Sequence, residues 1–239
     1  MKVWEGKFKV LSFYCDSDDR LALWAMARII QEGAEGHTAQ TGIGFSGLIS
    51  QGKAWVLTRI HYEIHERPRC DQEITIATWS RGSDGLYALR DSVIKDAQGR
   101  VLMCSTAMWV VIDMNTRRVC RMHDLLADFS VCEDTATSVN KPTRLRMPAF
   151  TDSDRFMEFT VRNSMIDHTQ HVNNAEYVKW ISDMVCVDGI VDIKTLDIDY
   201  ISESKRNETV NCFKIQDNCS CSIQISNSRG VAVNSVVGL

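Results

Sequence analysis

The chain repeats itself. Phe8, Val10, Asp16, Leu21, Met26, Ile29 and Ile30 recur as Phe159, Val161, Asp167, Val172, Tyr177, Trp180 and Ile181, all at one offset of 151 positions. In each copy a strand-like segment ends at an acidic turn, and an apolar helix pattern follows. Both copies must bury the same helix with the same order of elements, which constrains the fold more tightly than composition does.

In the first copy, residues 8–16 read as a strand and 21–32 as a helix. Leu21 to Ile30 is apolar almost all round, the pattern of a buried helix rather than one lying on a solvated surface. Runs rich in β-branched and aromatic residues follow at 55–66, 73–81, 86–95 and 101–113, with Asp96-Ala97-Gln98-Gly99 as a hairpin turn. Gly33, Gly36 and Gly42-Ile43-Gly44 read as the helix end and the loop beyond it.

The second copy places its helix from Ala175 to Val187. Its strands fall at 196–202, 209–215, 221–226 and 231–237, with turns at Asp217-Asn218 and Ser228-Arg229-Gly230. A buried helix wrapped by antiparallel strands is the hot-dog architecture, so the fold class is α+β, a double hot dog. The domains are 1–130, a linker over 131–154, and 155–239. The connection also holds a short helical pattern at 124–129, two of the chain's three prolines (Pro142 and Pro148), and the apolar anchors Leu125, Phe129 and Phe150.

Composition excludes several classes of function. The net charge of -4 argues against bulk nucleic-acid binding. No apolar run approaches the ~18 residues of a membrane span. The first seven residues lack the apolar stretch and cleavage site of a signal peptide, so a cytoplasmic protein is expected. The nine cysteines contain no C-x-x-C pair and read as reduced, mostly structural thiols. No zinc, other metal or cofactor is expected.

The chemistry concentrates at Asp167-His168-Thr169-Gln170-His171-Val172-Asn173-Asn174. A carboxylate, a hydroxyl, an imidazole and two amides sit in one turn before a helix, whose first N–H groups are unpaired and whose dipole is positive there. A negative oxygen developing during acyl transfer is stabilised in such a place.

This segment resembles the active-site pattern Asp-x-Asn-x-His-Val-Asn-Asn of the acyl-acyl carrier protein thioesterases, matched by Asp167, His171, Val172, Asn173 and Asn174. Downstream, the run from Asp197 to Ser204 resembles the family's strand that ends in a catalytic glutamate, with Glu203 in that place. Ser204 falls where plant members often have cysteine. The resemblance spans nearly the whole chain and implies attack of water on a thioester carbonyl. His171 would transfer the proton, Glu203 would polarise the water, Asp167 would orient its neighbours, and Asn173 and Asn174 would hold substrate. One position departs: Thr169 stands where the family has asparagine. A hydroxyl donates one hydrogen bond but reaches less far than an amide. Thr169 therefore does a weaker version of that job, Gln170 or Asn173 substitutes, or the enzyme is impaired.

In the first copy Asp16 and Arg20 take the places of Asp167 and His171. A guanidinium is no base near neutral pH, so that copy is expected to be catalytically silent. Five of the six tryptophans (Trp4, Trp24, Trp55, Trp79 and Trp109) lie in it and read as core or as walls of an acyl tunnel. An acidic acyl carrier protein needs a basic docking face, for which Arg117, Arg118, Arg121, Lys141, Arg144, Arg146, Lys205 and Arg206 are the candidates. The expected function is hydrolysis of fatty acyl-carrier protein thioesters by a monomer or homodimer without cofactor. The rivals are an acyl-coenzyme A thioesterase, for which no glycine-rich phosphate loop is evident, and a non-catalytic acyl-binding protein.

Overall fold

A computed structural model describes residues 2–126, 130–187 and 192–239. The chain divides into two compact units, Met1–Pro142 and Thr143–Leu239.

In the first unit the strands are β1 (Val3–Lys9), β2 (Lys53–Ile64), β3 (Glu73–Asp84), β4 (Tyr87–Asp96) and β5 (Val101–Asp113). They form an antiparallel sheet in the order β1-β3-β4-β5-β2. Helix α1 (Leu23–Ala39) packs on β1, β3 and β4, and a short helix α2 (Phe45–Ile49) packs on β2. A single turn, α3 (Met122–Leu125), follows β5. It covers the expected short helix only as far as Leu125, and residues 127–129 lie outside the described residues.

In the second unit the strands are β6 (Arg155–Thr160), β7 (Thr195–Tyr200), β8 (Thr209–Gln216), β9 (Ser220–Asn227) and β10 (Gly230–Gly238). Their order, read from β6, is β6-β8-β9-β10-β7, which is the first unit's order element for element. Helix α4 (Asn174–Val185) carries Trp180 against Phe159 of β6, and Tyr177 against Tyr200 of β7.

The offset of 151 holds in detail. Short 3-10 turns occupy Ser12–Tyr14 and Asn163–Met165, and α1 and α4 begin at Leu23 and Asn174. Bridges join Cys15 to Leu21 and Ile166 to Val172. Asp19 and Gln170 both adopt the left-handed backbone, at φ 61° and 66°. Neither is glycine; each closes a turn in which its own N–H donates to the carbonyl of Asp16 or Asp167.

Two readings of the sequence are corrected. The first strand ends at Lys9 rather than Asp16, because Tyr14 and Cys15 donate their N–H groups to Leu11 and Ser12 and curl the chain into a turn. Helix α1 does not end near Gly33 but runs to Ala39. Gly33 and Gly36 lie inside it because Trp4 packs there: a Cβ on Gly36 would come 2.8 Å from that indole, and one on Gly33 would come 2.8 Å from Ile76. Close packing outweighs the cost of ~1 kcal/mol that glycine imposes inside a helix.

The linker also divides. Its first part belongs to unit one, where Cys132 N–H donates to Ser80 O, Trp79 Nε1 to Asp134 O at 2.8 Å, and Ala136 N–H to Asp91 Oδ2 at 2.7 Å. The part beyond Pro142 belongs to unit two, where Leu145 N–H donates to Asp199 and Phe150 meets Phe213. Of the expected anchors, Leu125 packs on a core of Leu48, Ala88, Val111 and Met122, and Phe129 is outside the described residues. Among the described residues no helix is long and apolar enough to cross a membrane.

Candidate active site

The turn before α4 is built around Asp167. Its backbone N–H donates to His171 O and its carbonyl accepts from Gln170 N–H, which closes the loop. Its carboxylate accepts from the Thr169 N–H at 2.8 Å, from the Thr169 hydroxyl, and from Asn173 Nδ2 at 3.1 Å. Asn173 is the N-cap of α4, and its Oδ1 accepts from Ala175 N–H at 2.9 Å. Asp167 thus orients the cap, and the cap fixes the helix start.

His171 and Glu203 come together from elements 32 positions apart in sequence, Nε2 to Oε2 at 3.0 Å, with about a quarter of each side chain exposed. The juxtaposition is backbone-driven: Val172 N–H donates to Ser204 O at 2.9 Å, which sets the residues before each of these side by side. Asn227 Nδ2, on β9, donates to Glu203 O at 3.0 Å and to Ser204 Oγ at 3.1 Å. Arg229 donates to the same Glu203 carbonyl. Sequence reasoning missed Asn227 and Arg229, which look like ordinary turn residues. The only signal was their position in the turn between the last two strands.

The remaining predicted residues separate clearly. The Thr169 hydroxyl has one proton, and it is given to Asp167. The two ends of the Asn173 amide are likewise engaged. Asn174 is half-buried, and among the described residues neither its side-chain amide nor its N–H makes a hydrogen bond, while its carbonyl accepts from Tyr200 Oη. Gln170 and His168 are exposed. Ser204 is fully buried, and its N–H donates to Tyr177 Oη, so it is a packed structural residue rather than an accessible nucleophile.

The first copy has the same frame with different occupants. Leu21 N–H donates to Pro68 O at 2.8 Å, the counterpart of Val172 to Ser204, which puts Arg20 and Arg67 in the places of His171 and Glu203. Arg67 pairs with Asp16 and Asp18, and Arg20 Nη1 donates to Arg67 O. Burial alone would raise the Asp16 carboxyl, but hydrogen bonding from Asp18 and the Arg67 cation outweigh it and hold it below the usual carboxylate range.

The basic candidates fall in two sets. Arg117, Arg118 and Arg121 are exposed on the first unit, and Lys141 there is paired with Asp84. Arg144, Arg146, Lys205 and Arg206 are exposed on the second unit, and Lys205 and Arg206 sit on the loop that carries Glu203.

Residues 1–129 match the family model of the acyl-ACP thioesterase N-terminal domain, and residues 149–237 match that of its C-terminal domain. The chain is 27% identical over 228 residues to the chloroplastic oleoyl-acyl carrier protein thioesterase 2 of Arabidopsis thaliana, covering 87% of this chain and 61% of that protein. It is 23% identical to the chloroplastic dodecanoyl-[acyl-carrier-protein] hydrolase of Umbellularia californica, covering 87% and 58%. It thus spans about three fifths of the length of these plant relatives. Among solved structures, an acyl-ACP thioesterase from Bacteroides thetaiotaomicron superposes with a TM-score of 0.88 at 22% identity, covering 99% of this chain and 97% of that one. The 12:0-ACP thioesterase from Umbellularia californica gives 0.85 at 19%, covering 99% and 96%. At these identities the two structures establish a shared fold.

Proposed function

The chain belongs to the acyl-ACP thioesterase family, and from that premise we propose that it hydrolyses fatty acyl-acyl carrier protein thioesters, releasing free fatty acid and carrier protein in fatty acid biosynthesis. The observation that carries this reading is the His171–Glu203 pair at 3.0 Å, set beside a helix start whose Asn174 donors are uncommitted.

In the proposed mechanism Glu203 accepts a hydrogen bond from His171 Nε2–H, which fixes the tautomer and leaves Nδ1 as the base. A water gives its proton to Nδ1, and its oxygen attacks the thioester carbonyl carbon. The resulting oxyanion is held by the N–H and side-chain amide of Asn174 at the positive end of α4. Collapse breaks the carbon–sulfur bond, and the departing thiolate takes the proton from the imidazolium. Asp167, Thr169 and Asn173 act by position, holding the turn from which His171 projects.

The architecture proposed for this chemistry is a double hot dog. The first copy binds the acyl chain without catalysing, and the second carries the reaction. Lys205 and Arg206 would meet the acidic carrier at the rim, where long-range attraction raises the encounter rate and weakens with salt. A reducing, cytoplasmic setting is part of the proposal, supported by the nine free cysteines.

The test is hydrolysis by the full chain of matched carrier-protein and coenzyme A thioesters of several chain lengths, alongside His171→Ala and Glu203→Ala. Faster turnover on carrier thioesters, lost in both variants, is expected. An inactive wild type overturns the reading as an enzyme, preference for coenzyme A overturns the carrier assignment, and full activity in both variants overturns the site.

A further inference from the structure

A second cluster of reactive side chains lies on the first unit's sheet. His61, Glu63 and His65 occupy alternate positions along β2 and just beyond its end, so the pleat turns all three to one face. β5 pairs antiparallel with β2 and sets Cys104 directly opposite Glu63. Two histidines, a carboxylate and a thiol are thereby gathered by register alone.

The spacings suit a tetrahedral ion. Glu63 Oε2 is 3.5 Å from Cys104 Sγ, and Cys104 Sγ is 3.9 Å from His65 Nε2. All three donor atoms lie within 4.8 Å of one another. Zinc bonds of about 2.3 Å to sulfur and about 2.0–2.1 Å to nitrogen and oxygen, at tetrahedral angles, give sulfur–oxygen and sulfur–nitrogen edges of about 3.5 Å. One edge already has that length, and the other closes by a small turn of the exposed His65 ring.

The carboxylate is held for this task. Glu63 Oε1 accepts from Ser138 N–H at 2.8 Å and from the Ser138 hydroxyl, and lies 3.4 Å from His61 Nε2. Those contacts leave Oε2 facing the thiol. Orienting a metal-binding carboxylate through its other oxygen is the usual function of outer partners at metal sites. Cys104 is buried and His65 exposed, so the cluster meets solvent on the His65 side, from which an ion and a water as fourth ligand would come.

We propose that Glu63 Oε2, His65 Nε2 and Cys104 Sγ form a zinc-binding site in the first unit, with His61 and Ser138 holding the carboxylate. The mixed nitrogen, oxygen and sulfur set suits zinc better than a hard cation such as magnesium or calcium. On binding, Cys104 releases its S–H proton to solvent and its thiolate takes the metal.

The experiment is titration of the chelator-treated full chain with Co2+, a coloured stand-in for Zn2+. The expected result is one equivalent bound with a sulfur-to-cobalt charge-transfer band, bleached by Zn2+, and a melting temperature raised by Zn2+. His65→Ala, at an exposed position that leaves the fold intact, should weaken binding by at least about tenfold and remove the Zn2+ stabilisation. Cys104→Ser should remove the band. Cys15, Asp19 and Cys70 form the other grouping of ligand-type side chains among the described residues, so Cys70→Ser is the control and should leave the titration unchanged. No band with wild type, a band unaltered in both His65→Ala and Cys104→Ser, or a band lost in Cys70→Ser would each overturn the assignment.

Discussion

Arg67 stands in the first copy where Glu203 stands in the second, each one residue before the carbonyl that accepts the hydrogen bond from Leu21 or Val172. The frame is the same and the charge is inverted. Glu203 reaches a histidine, whereas Arg67 reaches two carboxylates, Asp16 and Asp18. One copy keeps a histidine–carboxylate pair about a quarter open to solvent, and the other fills the same place with an arginine–carboxylate cluster. A duplicated fold can hold both because the frame is made of backbone hydrogen bonds that do not depend on which side chains project from it.

From this contrast, Arg67→Met should cost stability and not chemistry. Arg67 is 14% exposed and its partners are a quarter to a third exposed. The loss should therefore fall between that of a surface pair and a buried one, about 1–3 kcal/mol. Chemical denaturation should show the midpoint falling while kcat on acyl-carrier protein thioester stays at the wild-type value. A fall in kcat comparable to that of a Glu203 variant would show that the first copy is not silent.

Removing either member of the His171–Glu203 pair should act on kcat. His171→Ala deletes the proposed base and should lower kcat by about 10²–10⁴-fold. Glu203→Gln keeps a group of the same shape that no longer favours the imidazolium, so its loss should be smaller, with KM little changed. Steady-state kinetics at matched substrate concentrations, with circular dichroism to confirm folding, decides this.

Thr169→Asn should raise kcat. In wild type Asp167 already accepts the Thr169 N–H at 2.8 Å, a bond that survives any side-chain change. The threonine hydroxyl adds a second bond to the same oxygen and offers nothing to substrate. An asparagine keeps the backbone bond and adds an amide with longer reach toward the reacting carbonyl. A variant slower than wild type would mean that the hydroxyl's hold on Asp167 matters more than reach.

Much of this was legible in the sequence, and the exceptions share a physical cause. The repeat, the strand-rich halves and the turn at Asp167 are local patterns, and local periodicity reports them. Gly33 and Gly36 misled because glycine signals a helix end locally, while here it serves a contact with Trp4, about 30 positions away. Glu203 sits in a charged run that looks like a hairpin tip, and only the family pattern singled it out. Asn227, and the meeting of Glu63 with Cys104, depend on strand register, which a single sequence does not print.

The turn between β8 and β9 should give a measurable pH dependence. The N–H groups of Cys219 and Ser220, then the Ser220 hydroxyl, donate to Asp217 and hold its carboxyl below the usual 3.8. A depressed folded-state value means the unfolded chain binds the proton more readily. The stabilisation is therefore fully present above pH 3.8 and is lost as pH falls through the lower folded value. Wild type should melt above Asp217→Asn at neutral pH, and the gap should close in acid. A gap that is constant with pH would assign the effect to shape rather than charge.

Asn227 should act on chemistry without touching substrate. Its amide donates to Glu203 O at 3.0 Å and Ser204 Oγ at 3.1 Å, and its Oδ1 accepts from Arg229 N–H at 2.9 Å, so one side chain ties the β9–β10 turn to the loop bearing Glu203. Asn227→Ala removes both donated bonds and leaves the Glu203 carbonyl relying on Arg229, which is 43% exposed and shared with Glu208. Freed in this way, the Glu203 carboxylate should spend less time against His171. A displacement of about 1 Å in a catalytic group is enough to cost about 100-fold, so a loss of about 10-fold to 100-fold in kcat is expected, with KM held within about twofold. Asn227→Asp keeps the length but turns a donor into an acceptor, and should be no better than alanine. Asn227→Gln retains the donor and should recover part of the rate. A purely structural role would lower the melting temperature of all three variants alike, with kcat per folded molecule unchanged, and that outcome would remove Asn227 from the account of the site.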